Sequence, residues 1–170
     1  MKKIAQIVFM CMLSWTAVLY SSKPAGAEHF GILLVVRSGD HEGRATMDTS
    51  PPAAGYNPRP VVQCHPGDVI SIRWSMKDQF PHGALDNVGV HLFIVPENRI
   101  GQKTVPDPKS QTTVFDNYFT MRFTPNSQTH GVLRYHADSP GVFLIRLQSE
   151  NTAQQFGHEH FAAVDIDVVS

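Results

Sequence analysis

The chain predicts an all-β domain, an antiparallel β-sandwich of about seven or eight strands. Two observations carry that expectation. Beyond the first 27 residues no apolar period of 3.6 extends over eleven or more positions, so no amphipathic helix is indicated. Short apolar or alternating runs recur instead, each bounded by Gly, Pro, Asn or Asp, as strands and turns require. Their number, together with the absence of helical pattern, points to two stacked sheets.

Phe30 to Arg37 is a continuous apolar run and predicts a strand covered on both faces. A short strand is expected near Val61 to Cys64. Val69 to Met76 alternates, with Ile70, Ile72, Trp74 and Met76 on one face and Ser71 and Arg73 on the other. Val88 to Pro96 is apolar on both faces, as a central strand would be. Asn117 to Thr124 sends Phe119, Met121 and Phe123 inward and Thr120 and Arg122 outward. Gly131 to His136, Gly141 to Gln148 and Phe161 to Val168 complete the set. Two connections are long and rich in proline, residues 38–60 and 97–113. Loops of that length gather at the ends of a sandwich and commonly carry function.

The first 27 residues predict a cleaved signal peptide. Lys2 and Lys3 form a basic start, Ile4 to Tyr20 an apolar stretch, and Ala25-Gly26-Ala27 the small residues of a cleavage site. Residues 28–170 are then one exported domain, periplasmic or extracellular, with no stable membrane anchor. Three of the fourteen basic residues fall in the leader, which leaves eleven against fifteen acids, about −4. That balance argues against nucleic acid and anionic membrane as partners. Nine histidines but a single cysteine, Cys64, remain after cleavage, so an internal disulfide is excluded and imidazole chemistry or surface recognition comes forward. Cys64 reads as a small buried residue near a strand end. Cys64-His65 lacks the first cysteine of a c-type haem attachment motif, since Val61 stands there.

Pro66-Gly67-Asp68, the alternating strand to Trp74 and the later pair Pro81-His82 resemble the central part of cupredoxins. Ser139-Pro140-Gly141-Val142-Phe143 is similar to the late hairpin of cupredoxin and immunoglobulin-like domains. The resemblance implies a two-sheet sandwich and gives His82 the place of a first copper imidazole. It also implies a late thiolate, and no cysteine follows Cys64, so a blue-copper centre is not expected.

Among the histidines, His158 and His160 stand at i and i+2 and share a face if the strand is regular. Their parity is that of Ala162, Val164, Ile166 and Val168, which aims both at the apolar side. With His82 in the 77–87 connection they form a candidate three-imidazole site for copper or zinc. His91 lies within an apolar run and reads as a hydrogen-bonded core or interface imidazole. His29, second after the expected cut, does not meet the position-one requirement of a copper brace. No nucleophile elbow, phosphate-binding glycine loop or His-Glu-x-x-His helix occurs, and no acid pair nominates itself for acid/base work. Arg122, Arg134 and Arg146 are expected to line one outer sheet face beside Asp165 and Asp167. The leading functional expectation is a non-catalytic binding or accessory module, a small subunit docking on a larger exported complex. Tyr56, Phe80, Phe115, Tyr118 and Phe156, in or beside loops, are its candidate interface anchors.

Overall fold

The computed structural model describes residues 30–46, 59–79, 83–101, 113–152 and 159–170. These form β1 (Phe30–Ser38), β2 (His41–Thr46), β3 (Val61–Cys64), β4 (Val69–Asp78), β5 (Leu85–Glu97), β6 (Phe115–Phe123), β7 (Gln128–His136), β8 (Gly141–Glu150) and β9 (Phe161–Val168). Two sheets result, ordered β2-β1-β4-β7 and β3-β9-β8-β5-β6, and they pack as a sandwich. All pairings are antiparallel except β3 with β9, which run parallel from Val61 opposite Asp165 to Cys64 opposite Val168. No helix among the described residues is long and apolar enough to cross a membrane. The expected leader, residues 1–27, lies outside the described residues.

Alternation builds the core. Ile32, Leu34 and Val36 of β1 and Ile70, Ile72 and Met76 of β4 meet Leu92 and Ile94 of β5, Ile145 and Leu147 of β8, and Val164 and Ile166 of β9. Each such side chain contributes on the order of 1.5–3 kcal/mol by leaving water. Strand β5 is buried on its other face as well: Phe93 and Val95 join Leu144 and Ala163 in a second apolar cluster outside the five-stranded sheet. That accounts for the doubly apolar sequence of β5, which lies between β8 and β6.

Several expectations are corrected. The expected loop 38–60 opens with a strand, β2, paired with β1 across a Gly39-Asp40 turn in which Gly39 takes a positive φ of 54°. Its sequence, HEGRAT, offers only Gly43 and Ala45 to the interior, so it shows no apolar rhythm. The strand count is therefore nine among the described residues, and one pairing is parallel. The outer face of β1 is half-buried at Leu33 and Val35 rather than covered. The three arginines do not share a face. Arg134 belongs to β7 in the four-stranded sheet, whereas Arg122, beside Asp86, and Arg146, over the Phe161 ring, both lie on the outer face of the five-stranded sheet, the face of Asp165. Asp165, by contrast, does face an arginine, Arg59.

The two flanks of the sandwich differ. On one, β1 and β2 reach β3 and β9 across the interior. Gly43 makes that approach feasible, because a Cβ there would fall 2.8 Å from Val62 Cγ2 and 3.0 Å from Val164 Cγ1. On the other, β6 and β7 scarcely touch. Phe115, Phe119, Met121, Leu133 and Tyr135 remain only partly buried there. The Trp74 and Phe119 rings, 6.3 Å apart, span that gap.

Candidate functional site

The outer face of the five-stranded sheet carries a chain of polar contacts centred on His91. Its ring is almost wholly enclosed, with Nε2 2.6 Å from Asp116 Oδ1 on β6 and Nδ1 2.5 Å from Glu150 Oε1 on β8. Gln148 donates to Glu150 (2.9 Å) and accepts from Arg146 Nε (2.6 Å). The Arg146 guanidinium sits 3.9 Å above the Phe161 ring. Three adjacent strands and β9 are thus linked by side chains alone. Phe93 lies beside the imidazole at a centroid distance of 4.8 Å. Both ring nitrogens of His91 are thus within hydrogen-bond distance of a carboxylate oxygen.

Tyr118 stands against this clamp. Its ring meets His91 edge-on at 5.6 Å and crosses Gly89, where a Cβ would lie 2.8 Å from Tyr118 Cε2 and 2.8 Å from Glu150 Cβ. Asn151 Nδ2 donates to the Tyr118 hydroxyl at 3.1 Å and to the Asn87 carbonyl at 3.2 Å. Asn87 and Asn151 both take left-handed backbone conformations, at φ 56° and 65°. Asn87 sits where the β5–β6 register shifts between Leu85 and Val88. These residues fix a tyrosine that is still 46% exposed.

Beyond Asn151 the β8–β9 connection is gathered at its neck. Thr152 donates to Glu159 Oε2 (2.5 Å), and Ser149 Oγ lies 3.1 Å from Thr152 Oγ1 and 3.2 Å from Glu159 Oε2. The Ser149 amide donates to the His160 carbonyl, and the His160 amide returns a bond to Ser149 Oγ. His160 itself is fully buried, its ring 5.9 Å from Phe30. The expected parity therefore holds for His160, which faces the apolar interior. His82 and His158 lie outside the described residues. Among the described residues no group of three or more His, Cys, Asp or Glu side chains is placed to hold a metal ion.

Of the candidate anchors, Tyr56, Phe80 and Phe156 also lie outside the described residues. Phe115 opens β6 beside the 97–113 connection, and Tyr118 lies three residues further along the strand: Phe115 turns inward and is half-buried, and Tyr118 turns outward. Asp116 and Glu150 do not announce themselves as a pair because they stand 34 positions apart in the chain, on strands with the whole of β7 between them. His91, midway through a run of apolar residues, was the available signal.

A second buried polar group occupies the far side of the same face. Arg59 Nε lies 2.7 Å from Asp165 Oδ1 in a close ion contact, and Arg59 Nη2 lies 3.0 Å from Glu97 Oε2. The Gly101 amide donates to Asp165 Oδ2 at 2.6 Å, which ties the start of the 97–113 connection to β9. Burial pushes the Glu97 carboxyl up to about 7; the Arg59 charge pulls it down by more than Asp165 pushes it up, but does not offset the burial. At the end of the sandwich away from the β8–β9 neck, a cavity of about 350 Å³ is lined by His41, Cys64, His65 and Asp68. Burial, and then the charges of Asp68 and Asp167, raise the Cys64 thiol, so it stays protonated and poorly nucleophilic at neutral pH.

No family model matches the chain, and no curated protein matches it.

Proposed function

We propose that the chain is an exported, non-catalytic recognition module that docks on another protein through β6 and the adjoining outer face. The observation that carries this reading is Tyr118. It is half exposed yet pinned by His91, Gly89 and Asn151. An aromatic already fixed in one orientation loses little entropy on binding, which is the property of an interface anchor. The engagement of both His91 nitrogens supports a scaffolding role for the imidazole over an acid/base role. A sandwich of the cupredoxin-like kind accommodates this reading, since Pro66-Gly67-Asp68 forms the turn that leads into β4 and Trp74. Photo-crosslinking from position 118 in the native source tests the proposal. A defined partner band that is absent when the crosslinker stands instead at the exposed Val132 of β7 supports it, and a chain that crosslinks to nothing counts against it.

A second reading, copper or zinc binding by His82, His158 and His160, has one observation in its favour. The described flanks of the two connections concerned share an end of the sandwich. Asn151 bonds to Asn87, and Phe30, opposite Asp78 on β4, packs on His160. This reading predicts stoichiometric metal in protein from its native source, lost in His82→Ala/His158→Ala. Unchanged metal content in that variant would end it.

A further inference from the structure

A sandwich of two open sheets has four edges, and they are not equivalent. Strands β2 and β3 are six and four residues long and lie against each other across the closed flank. Strand β7 is nine residues long, but its outward row is Gln128, His130, Val132, Arg134 and His136, with no acid. Two copies of β7 joined about Val132 would set Arg134 against His130. Strand β6 has the same length and a different pattern, FDNYFTMRF. It carries one acid near its start and one base near its end, both outward, with Tyr118 and Thr120 between. Among the described residues no strand pairs with its outer edge.

Long strands of aromatic and β-branched residues with a free edge invite pairing with another strand, and native proteins normally blunt them. Here the blunting is absent from the strand centre. Its two charges are instead arranged for self-recognition. Antiparallel pairing of two β6 strands about a two-fold axis brings residue i opposite residue j wherever i and j share parity and a constant sum. The register that pairs all nine residues is centred on Phe119, the middle of Phe115–Phe123. That same register sets Asp116 opposite the second copy's Arg122, twice by symmetry, and Tyr118 opposite its Thr120. Shifting the centre by one residue either way separates both charge pairs. Full overlap and charge complementarity therefore select one register independently. Both charged groups are accessible for it, Asp116 at 50% and Arg122 at 66% side-chain exposure.

We infer that β6 pairs with β6 of a second copy of this chain about a two-fold axis at Phe119, joining two five-stranded sheets into one of ten strands. The inference rests on the reading of β6 as a docking surface and names its occupant. The half-buried inner row, Phe115 and Phe119, gains cover in the pair, and the pinned Tyr118 ring packs on the second copy's Thr120.

The test is sedimentation or native mass measurement of the chain, expressed with its own leader, at about 100 μM, a concentration that populates a standard-size interface of micromolar affinity. A dimer is expected. Arg122→Glu places two acids opposite each other at two points and should raise Kd by about tenfold or more, while Arg122→Lys keeps the dimer. An equimolar mixture of Asn117→Cys and Met121→Cys chains, whose positions face each other in the same register, should oxidise to the mixed disulfide, and buried Cys64 does not compete. A monomer at that concentration overturns the inference, and so does a dimer indifferent to Arg122→Glu. A monomer that still crosslinks a different protein through position 118 refutes only the self-pairing. A monomer that crosslinks nothing removes the docking reading as well.

Discussion

The closed flank and the open flank of this sandwich are made from similar strands but solve opposite problems. Where β1 and β2 meet β3 and β9, the sheets approach so closely that position 43 tolerates only a hydrogen atom. The adjoining outer face locks the chain entering β3 to the chain leaving β5 through Arg59, Glu97 and Asp165. Where β6 and β7 part, the interior is rimmed by half-buried aromatics, and the polar groups are clamped around one half-exposed tyrosine. Ion pairs on the first side are sealed from water. On the second, Asp116 remains half in solvent. One flank is organised for cohesion and the other for presentation.

Breaking the sealed pair should have the largest effect. Asp165→Ala leaves Arg59 buried without its nearest charge and is expected to cost about 3–5 kcal/mol in urea denaturation. The matching change on the open flank, Asp116→Ala, should cost only about 1 kcal/mol, because water can replace the half-exposed carboxylate at His91. Equal losses would erase the distinction between the flanks.

Next in size is a pH effect. Because the Glu97 carboxyl is raised to about 7 from 4.5, the folded chain holds its proton in a range where the unfolded chain has released it. Stability therefore falls as pH rises between those values, and the full cost is present above about 7. That shift corresponds to at most about 3 kcal/mol. Glu97→Gln should flatten this segment of the stability profile, measured by denaturant midpoint from pH 4 to 8. A slope unchanged in the variant would assign the effect to another group.

Two glycines sharpen the comparison at smaller scale. Gly43→Ala drives a methyl into Val62 and Val164, both fixed in the core, and should cost about 1–3 kcal/mol. Gly131→Ala brings a methyl within 2.7 Å of three atoms of the buried Trp74 indole and should likewise cost about 1–3 kcal/mol. Smallest of all on stability is Tyr118→Ala, expected within about 1 kcal/mol by thermal denaturation while abolishing capture of a docking partner.

Much of the fold is legible in the sequence because burial imposes a period of two. Ile70, Ile72, Trp74 and Met76 announce β4, and Phe119, Met121 and Phe123 announce β6. Strand β2 was not legible, since Gly43 and Ala45 occupy its inward positions for reasons of space, and small residues carry no apolar signal. The site was less readable still. His91 stood out as an imidazole in an apolar run, but its partners come from β6 and β8, and only the sheet order brings Asp116 and Glu150 to its two nitrogens. The Arg59 group is hidden for the same reason, as 106 residues separate Arg59 from Asp165.

The parallel seam between β3 and β9 has a consequence for how the chain is made. Strand β9 lies between β3 and β8, so a strand that leaves the ribosome after both of its neighbours is inserted into the body of their sheet. Until residue 168 emerges, Val62 and Cys64 have no ladder to join. Closure of this sheet thus waits on Phe161–Val168, and nascent chains halted before that strand should remain open to proteases and to chaperones.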